Sequence, residues 1–494
     1  MNKKNILVFG FIFCLLLPMV YGQKKHKTVR PAFEIKFVLD GLDEDTMLYV
    51  ANYYADKTYM QDSLYLSKKE PHTFVYSGDT LPPRGVYVLA NQNKIKYLEF
   101  IIDTSYFFTI RTQNIDSKNP DFVNCIVFEN SPDNVEMSDF FKKISHYQRQ
   151  IFKLNKDIAA LESEKKPDKK LIQQTKKELD AWQDSNYQYC EYFVAQHGTT
   201  SLFGRTQRLA QDVEVPEEIR NIKDQSTQEI ASYNYYLNHY WDNCDFSEGA
   251  LIYTPVFHPR LVKYFDKVVP PVVDSIIKYA DILVEKSKAS TELFKYIVWY
   301  ITSKYERSQY VGHDAVFVHM VLNYYAKGLC PWTDEAVLER MIERAEQLDG
   351  VLLGKVAPEL YMFDTNERFI SSHSFNKKYT IMWFWDVTCG HCKTVTPILV
   401  DFYNRAKDSL DFEVYAVCIT SDTASWKRAI VSRQLPFVNV GGNRANLDYR
   451  KVYGVTTTPY IYVLDREKKI ICKKIGVEQL ESFLRNHEAG KRIY

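Results

Sequence analysis

Residues 381–397, IMWFWDVTCGHCKTVTP, constrain the fold of this chain more than any other stretch. Ile381, Met382, Trp383, Phe384 and Trp385 give five large apolar side chains in a row, which suits a strand covered on both faces in the middle of a parallel sheet. Asp386, Val387 and Thr388 make a turn, and Cys389-Gly390-His391-Cys392 then opens a helix. Pro397 falls inside that helix, where it removes a hydrogen bond and predicts a kink. At the helix start, free backbone N–H groups and the positive end of the helix dipole face the Cys389 sulfur. Both favour thiolate, and C-x-x-C cysteines in such positions titrate at about 3.5–7.5 instead of about 8.5.

The elements that follow alternate. The pattern predicts a helix over 389–405, a strand over 412–420, helices over 423–432 and 447–452, strands over 460–464 and 469–475, and a last helix over 478–486. This is a βαβ unit followed by ββα.

WDVTCGHCKTVTP resembles the active-site segment of thioredoxin-fold disulfide oxidoreductases, in particular the exported TlpA/ResA-like branch. Gly354-Lys355-Val356-Ala357-Pro358 is similar to the G-x-x-A-P that opens such domains, and Val455-Thr456-Thr457-Thr458-Pro459 to their cis-proline loop. The resemblance spans residues 354–494 and implies a thioredoxin fold. It implies that Cys389 and Cys392 are a redox-active pair, with no cofactor beyond the Cys389–Cys392 disulfide, and that Trp385, Thr458 and Pro459 serve substrate binding. Gly390 and His391 are implied to tune the redox balance, His391 by favouring a thiolate as imidazolium or through N–H donation. The implied partners are exported cysteine-containing proteins and an unidentified membrane or envelope electron donor or acceptor, and the direction of exchange stays open. One position departs from the pattern. Thioredoxin has an acidic residue six positions before its first cysteine, where this chain has Trp383, and Asp386 does not simply inherit that role.

A chain of 494 residues is too long for one core and predicts several domains. Lys3, Lys4 and the apolar run 6–20 read as a secretory signal peptide over 1–22, with an uncleaved anchor as the alternative; the run is short for a membrane span. The expected location is the periplasm or cell envelope of a bacterium. Losing the two lysines takes the formal charge from +1 to −1, which leaves no basic footprint for nucleic acid. Outside Cys389 and Cys392 the cysteines beyond the leader (Cys125, Cys190, Cys244, Cys330, Cys418, Cys472) are scattered singly, so no disulfide framework is expected. Zinc would need further ligands near Cys392, and haem attachment would need histidine where Lys393 stands.

Residues 30–134 carry short runs of alternating polarity and predict an antiparallel β domain, a sandwich or barrel, similar to the DUF4369 type. Over 135–350 the apolar period changes to three and four. Ile144, Tyr147, Ile151, Leu154, Ile158 and Leu161, then Ile172, Leu179 and Trp182 beyond Lys165-Lys166-Pro167-Asp168, predict an antiparallel helical hairpin, with further helices over 216–240, 272–286, 291–304, 316–327 and 334–348. The segment from Asp245 resembles a DUF5106-type helical region. A different class of function also fits the sequence: an envelope binding scaffold in which the β and helical domains hold a partner and the thioredoxin-like domain performs no chemistry.

Overall fold

The computed structural model describes residues 30–40, 46–112 and 122–491; the leader expected at 1–22 lies outside the described residues. The order is an all-β domain, a helical domain and an α/β domain.

Eight strands build the first: β1 (Phe33–Leu39), β2 (Met47–Tyr54), β3 (Lys57–Tyr65), β4 (Thr73–Gly78), β5 (Gly85–Asn91), β6 (Lys96–Ile102), β7 (Phe107–Thr112) and β8 (Ile126–Glu129). They form two four-stranded sheets, β4-β1-β7-β8 and β3-β2-β5-β6. The alternation of β1 turns Phe33, Ile35, Phe37 and Leu39 inward, onto Leu89, Phe100 and Ile110. Two features depart from the sequence reading. β1 and β7 pair in parallel, because the chain crosses to the second sheet and back before β7 reaches β1. β3, an exposed edge strand whose side chains lie mostly in solvent, has no apolar alternation to betray it.

The helical domain begins with α1 (Pro132–Glu162) and α2 (Lys169–His197). They run antiparallel: Phe140 near the start of α1 meets Phe193 near the end of α2, and Tyr147 meets Trp182. Asp168 caps α2 by accepting from the Lys170 and Leu171 N–H groups. There follow α3 (Leu202–Ala210), α4 (Glu217–Arg220), α5 (Gln225–His239), α6 (Phe257–Lys263), α7 (Val273–Ser287), α8 (Thr291–Glu306), α9 (Asp314–Met320) and α10 (Glu335–Asp349). The single helix expected over 216–240 is two, since Asp224 accepts from Thr227 N–H and starts a new helix at Gln225. Arg84, from the loop before β5, joins the β and helical domains by pairing with Asp103 and with Glu248.

The last domain holds β9 (Tyr361–Asp364), β10 (Phe369–Ser371), β11 (Tyr379–Trp385), α11 (Gly390–Ala406), β12 (Phe412–Cys418), α12 (Thr423–Ser432), β13 (Val438–Ala445), α13 (Tyr449–Val452), β14 (Tyr460–Leu464), β15 (Ile470–Lys473) and α14 (Leu480–Glu488). Its sheet runs β10-β9-β13-β12-β11-β14-β15. β11 is central, parallel to β12 and antiparallel to β14, and every residue of it is buried. Trp383 and Trp385 face one core with Val395, Leu399 and Phe402, while Met382 and Phe384 face another with Tyr415 and Tyr462. β9, β10 and β13 were not legible as strands. β13 contains Gly441, which packs so closely on the Trp426 ring that a Cβ there would lie 2.8 Å from it.

Candidate functional site

β11 delivers the chain to the surface at Trp385, and three residues turn it into α11. Asp386 organises the turn: its carboxylate accepts from Thr388 N–H at 2.7 Å and from the Thr388 hydroxyl at 2.5 Å. Thr420, just beyond β12, accepts from Val387 N–H at 3.2 Å. Arg433, at the end of α12, donates from Nη2 to the Val387 carbonyl at 2.9 Å and lays its guanidinium 5.3 Å over the Trp385 ring. Three separate segments therefore fix the backbone that presents Cys389.

Cys389 is the N-cap of α11, and its sulfur accepts the Cys392 N–H at 3.2 Å. Cys389 is half-buried, and Cys392, one turn inward, has no exposed surface. The two thiols differ in the direction of their shifts. Burial pushes the Cys389 thiol up, but hydrogen bonds from the Cys392 thiol and N–H, from the Thr458 side chain and from the His391 N–H outweigh it and hold Cys389 below the ordinary cysteine value. Burial, then the hydrogen bond to Cys389, push Cys392 up to about 12. Elsewhere burial raises Cys190, Cys244, Cys330 and Cys418. The His391 side chain is exposed, so the group it brings to Cys389 is its backbone N–H.

The Thr458–Pro459 peptide is cis, and Cys389 Sγ donates to the Thr458 carbonyl at 3.3 Å. Thr458 and Pro459 are half-buried beside the dithiol, with Thr456 and Thr457 exposed next to them. Gly390 and His391 are exposed on the opposite rim. Trp385 corrects the expectation of a substrate contact: it is fully buried, stacked on Trp383 at 5.3 Å, with Arg433 on its other side. It floors the turn and offers nothing to the surface. Trp383, which stands where thioredoxin has an acid, is likewise buried.

Comparison with known proteins places the domain that carries this dithiol in a family. The thioredoxin-like family model matches residues 376–470, and the domain of unknown function DUF5106 matches residues 163–349. The C-terminal domain is thioredoxin-like. The thiol-disulfide oxidoreductase ResA of Bacillus thuringiensis subsp. konkukian is 26% identical over 139 residues, 27% of this chain and 77% of that protein. Among solved structures, a domain of a possible thiol-disulfide isomerase from Cytophaga hutchinsonii is 38% identical, with a TM-score of 0.27 over 28% of this chain and 95% of that one. A thioredoxin-like protein from Bacteroides caccae is 16% identical, with a TM-score of 0.42 over 56% of this chain and 98% of that one.

Within the thioredoxin-like domain, the sequence named the residues that lie together in its motifs. It missed Arg433 and Thr420, whose contacts with Val387 span 46 and 33 positions. The one available signal was Arg433 ending a helix in an α/β domain, near the C-terminal ends of the parallel strands where such sites form.

Proposed function

We propose that this chain is a thiol-disulfide oxidoreductase acting on disulfides of exported proteins. The observation that carries the proposal is the placement of the two sulfurs: Cys389, partly accessible at the start of α11, accepts the Cys392 N–H at 3.2 Å and meets the Thr458 carbonyl at 3.3 Å, while Cys392 is sealed one turn inward. The Cys389 thiolate attacks one sulfur of a substrate disulfide. A Cys389–substrate disulfide forms, the substrate bond breaks, and the first substrate sulfur leaves as a thiolate. That thiolate takes the Cys392 proton, and the Cys392 sulfur attacks Cys389 and displaces the second substrate sulfur. Two electrons pass to the substrate, and the Cys389–Cys392 disulfide remains. An envelope dithiol partner returns the electrons in the reducing direction; in the oxidising direction every step reverses.

The Thr458–Pro459 loop, facing Cys389, suits docking of an extended peptide through backbone groups, and the small polar rim of threonines beside it places little demand on the peptide's side chains. Gly390 and His391 set the balance between the two redox states. Export rests on the leader-like residues 1–22. No helix among the described residues is long and apolar enough to cross a membrane. Reduction of insulin by dithiothreitol, followed as turbidity, tests the activity: the wild-type chain should accelerate it and Cys389→Ser should not. A wild type no faster than Cys389→Ser would refute the proposal.

A further inference from the structure

The helical domain reaches the sheet strand that neighbours the one following the loop at Cys389. Lys473, the last residue of β15, is 2% exposed, and its Nζ donates to Asp314 Oδ2 at 2.5 Å and to the Val351 carbonyl at 2.7 Å. Asp314 opens α9 and Val351 follows α10, so a buried cation of the thioredoxin-like sheet is paired from the helical domain. A buried ammonium persists only with such partners.

Next to Lys473 in the sheet, β14 pairs Tyr462 with it, and β14 begins at Tyr460, the residue after Pro459. The Tyr460 phenol is pushed up to about 12, by burial first and then by the Asp314 carboxylate, with the Tyr462 hydroxyl and the Arg344 guanidinium of α10 pulling the other way. A small cavity closes this joint, lined by Tyr305, Glu306, Asp314, Arg344, Lys473 and Lys474 among others. Thr458, whose carbonyl meets Cys389, stands two residues from Tyr460, a span of about 7 Å. One short segment thus meets the thiol at Thr458 and runs on into β14, whose neighbour β15 is tied to the helical domain through Lys473.

We propose that the helical domain is part of the exchange site: Asp314 and Lys473, acting through the pairing of β15 with β14, hold the Thr458–Pro459 loop against Cys389 and set how tightly a peptide disulfide docks. They are positioning residues. The inference rests on the exchange reading above and assigns the helical domain a share in it.

The test uses the full chain. Removing both charges together, as Asp314→Leu with Lys473→Met, avoids stranding a buried ion; Asp314→Asn, which keeps an oxygen for the Lys473 ammonium, is the second variant. Glu343→Gln is the control, since the Glu343–Lys451 pair lies in the same joint with both side chains exposed. KM and kcat for a disulfide-bonded peptide and the ultraviolet titration of the Cys389 thiolate are measured for each. The double variant and Asp314→Asn should raise KM roughly fivefold or more, the low end of coupling between sites, with kcat held within about twofold. The thiolate should titrate higher as the Thr458 side chain withdraws. Glu343→Gln should match the wild type. A purely structural joint would lower the melting temperature and leave KM and the titration in place, and that result overturns the inference. Should the double variant fail to fold, Asp314→Asn decides alone. Should the wild type show no turnover, the exchange reading fails, and the shift or constancy of the titration still decides whether the helical domain holds the loop.

Discussion

Cys389 and Cys392 stand three positions apart and are driven in opposite directions, Cys389 down by the hydrogen bonds it collects against its burial and Cys392 up by burial first and then by its hydrogen bond to Cys389. The sulfur at the helix start collects donors, and the sulfur one turn inward loses water and becomes one of those donors. The reduced protein should therefore have a pH optimum of stability. Cys389 is depressed on folding, so its contribution is present above the free-cysteine value of about 8.5 and lost as pH falls through its own titration. Cys392 is raised, so its contribution is present below about 8.5 and lost as pH climbs toward about 12. Urea unfolding of the reduced chain should be most resistant near pH 8.5, and a flat profile would contradict the opposed shifts. His391→Pro removes the N–H that reaches Cys389, since proline has none. The variant should raise the Cys389 titration and lower the reduction potential in a glutathione redox buffer; an unchanged potential would take His391 out of the tuning.

At the scale of elements, the central strand, the turn and α11 were legible because β11 is buried along its whole length and its apolar run is unbroken. The helix over 423–432 and the strand over 460–464 also match their elements end to end. The strands that escaped notice are short, exposed or glycine-bearing, and a pattern of buried residues cannot reveal strands that bury little. The Arg433 contact was illegible for another reason: only the finished fold brings α12 onto the turn. Arg433→Leu removes a charge-assisted hydrogen bond and the contact with Trp385, and should cost about 1.5–3 kcal/mol in chemical unfolding of the reduced protein. Unaltered stability would show that Asp386 and Thr420 hold the turn without it.

Across the whole molecule, the change of apolar period from two to three and four announced the passage from sheet to helix, but not how the domains join. The joints are built from isolated polar residues with no motif of their own. Asn134, fully buried in α1, donates to the Ile101 carbonyl at 2.8 Å and accepts the Ile101 N–H at 2.7 Å, stitching α1 to β6. Asn134→Ala leaves both backbone groups unpaired at about 1–3 kcal/mol each. Calorimetry should show a lower melting temperature for the β and helical domains, with the Cys389 titration unmoved. A shift confined to the thioredoxin-like domain would contradict that assignment. The dithiol itself is tested most directly by trapping. Cys392→Ser leaves Cys389 able to attack and removes the sulfur that resolves the mixed disulfide. On non-reducing electrophoresis of envelope fractions this variant should carry partner proteins in bands that dithiothreitol releases, and Cys389→Ser should carry none. If Cys392→Ser traps nothing where the wild type cycles, Cys389 is not the attacking sulfur, and the assignment of the two cysteines is contradicted.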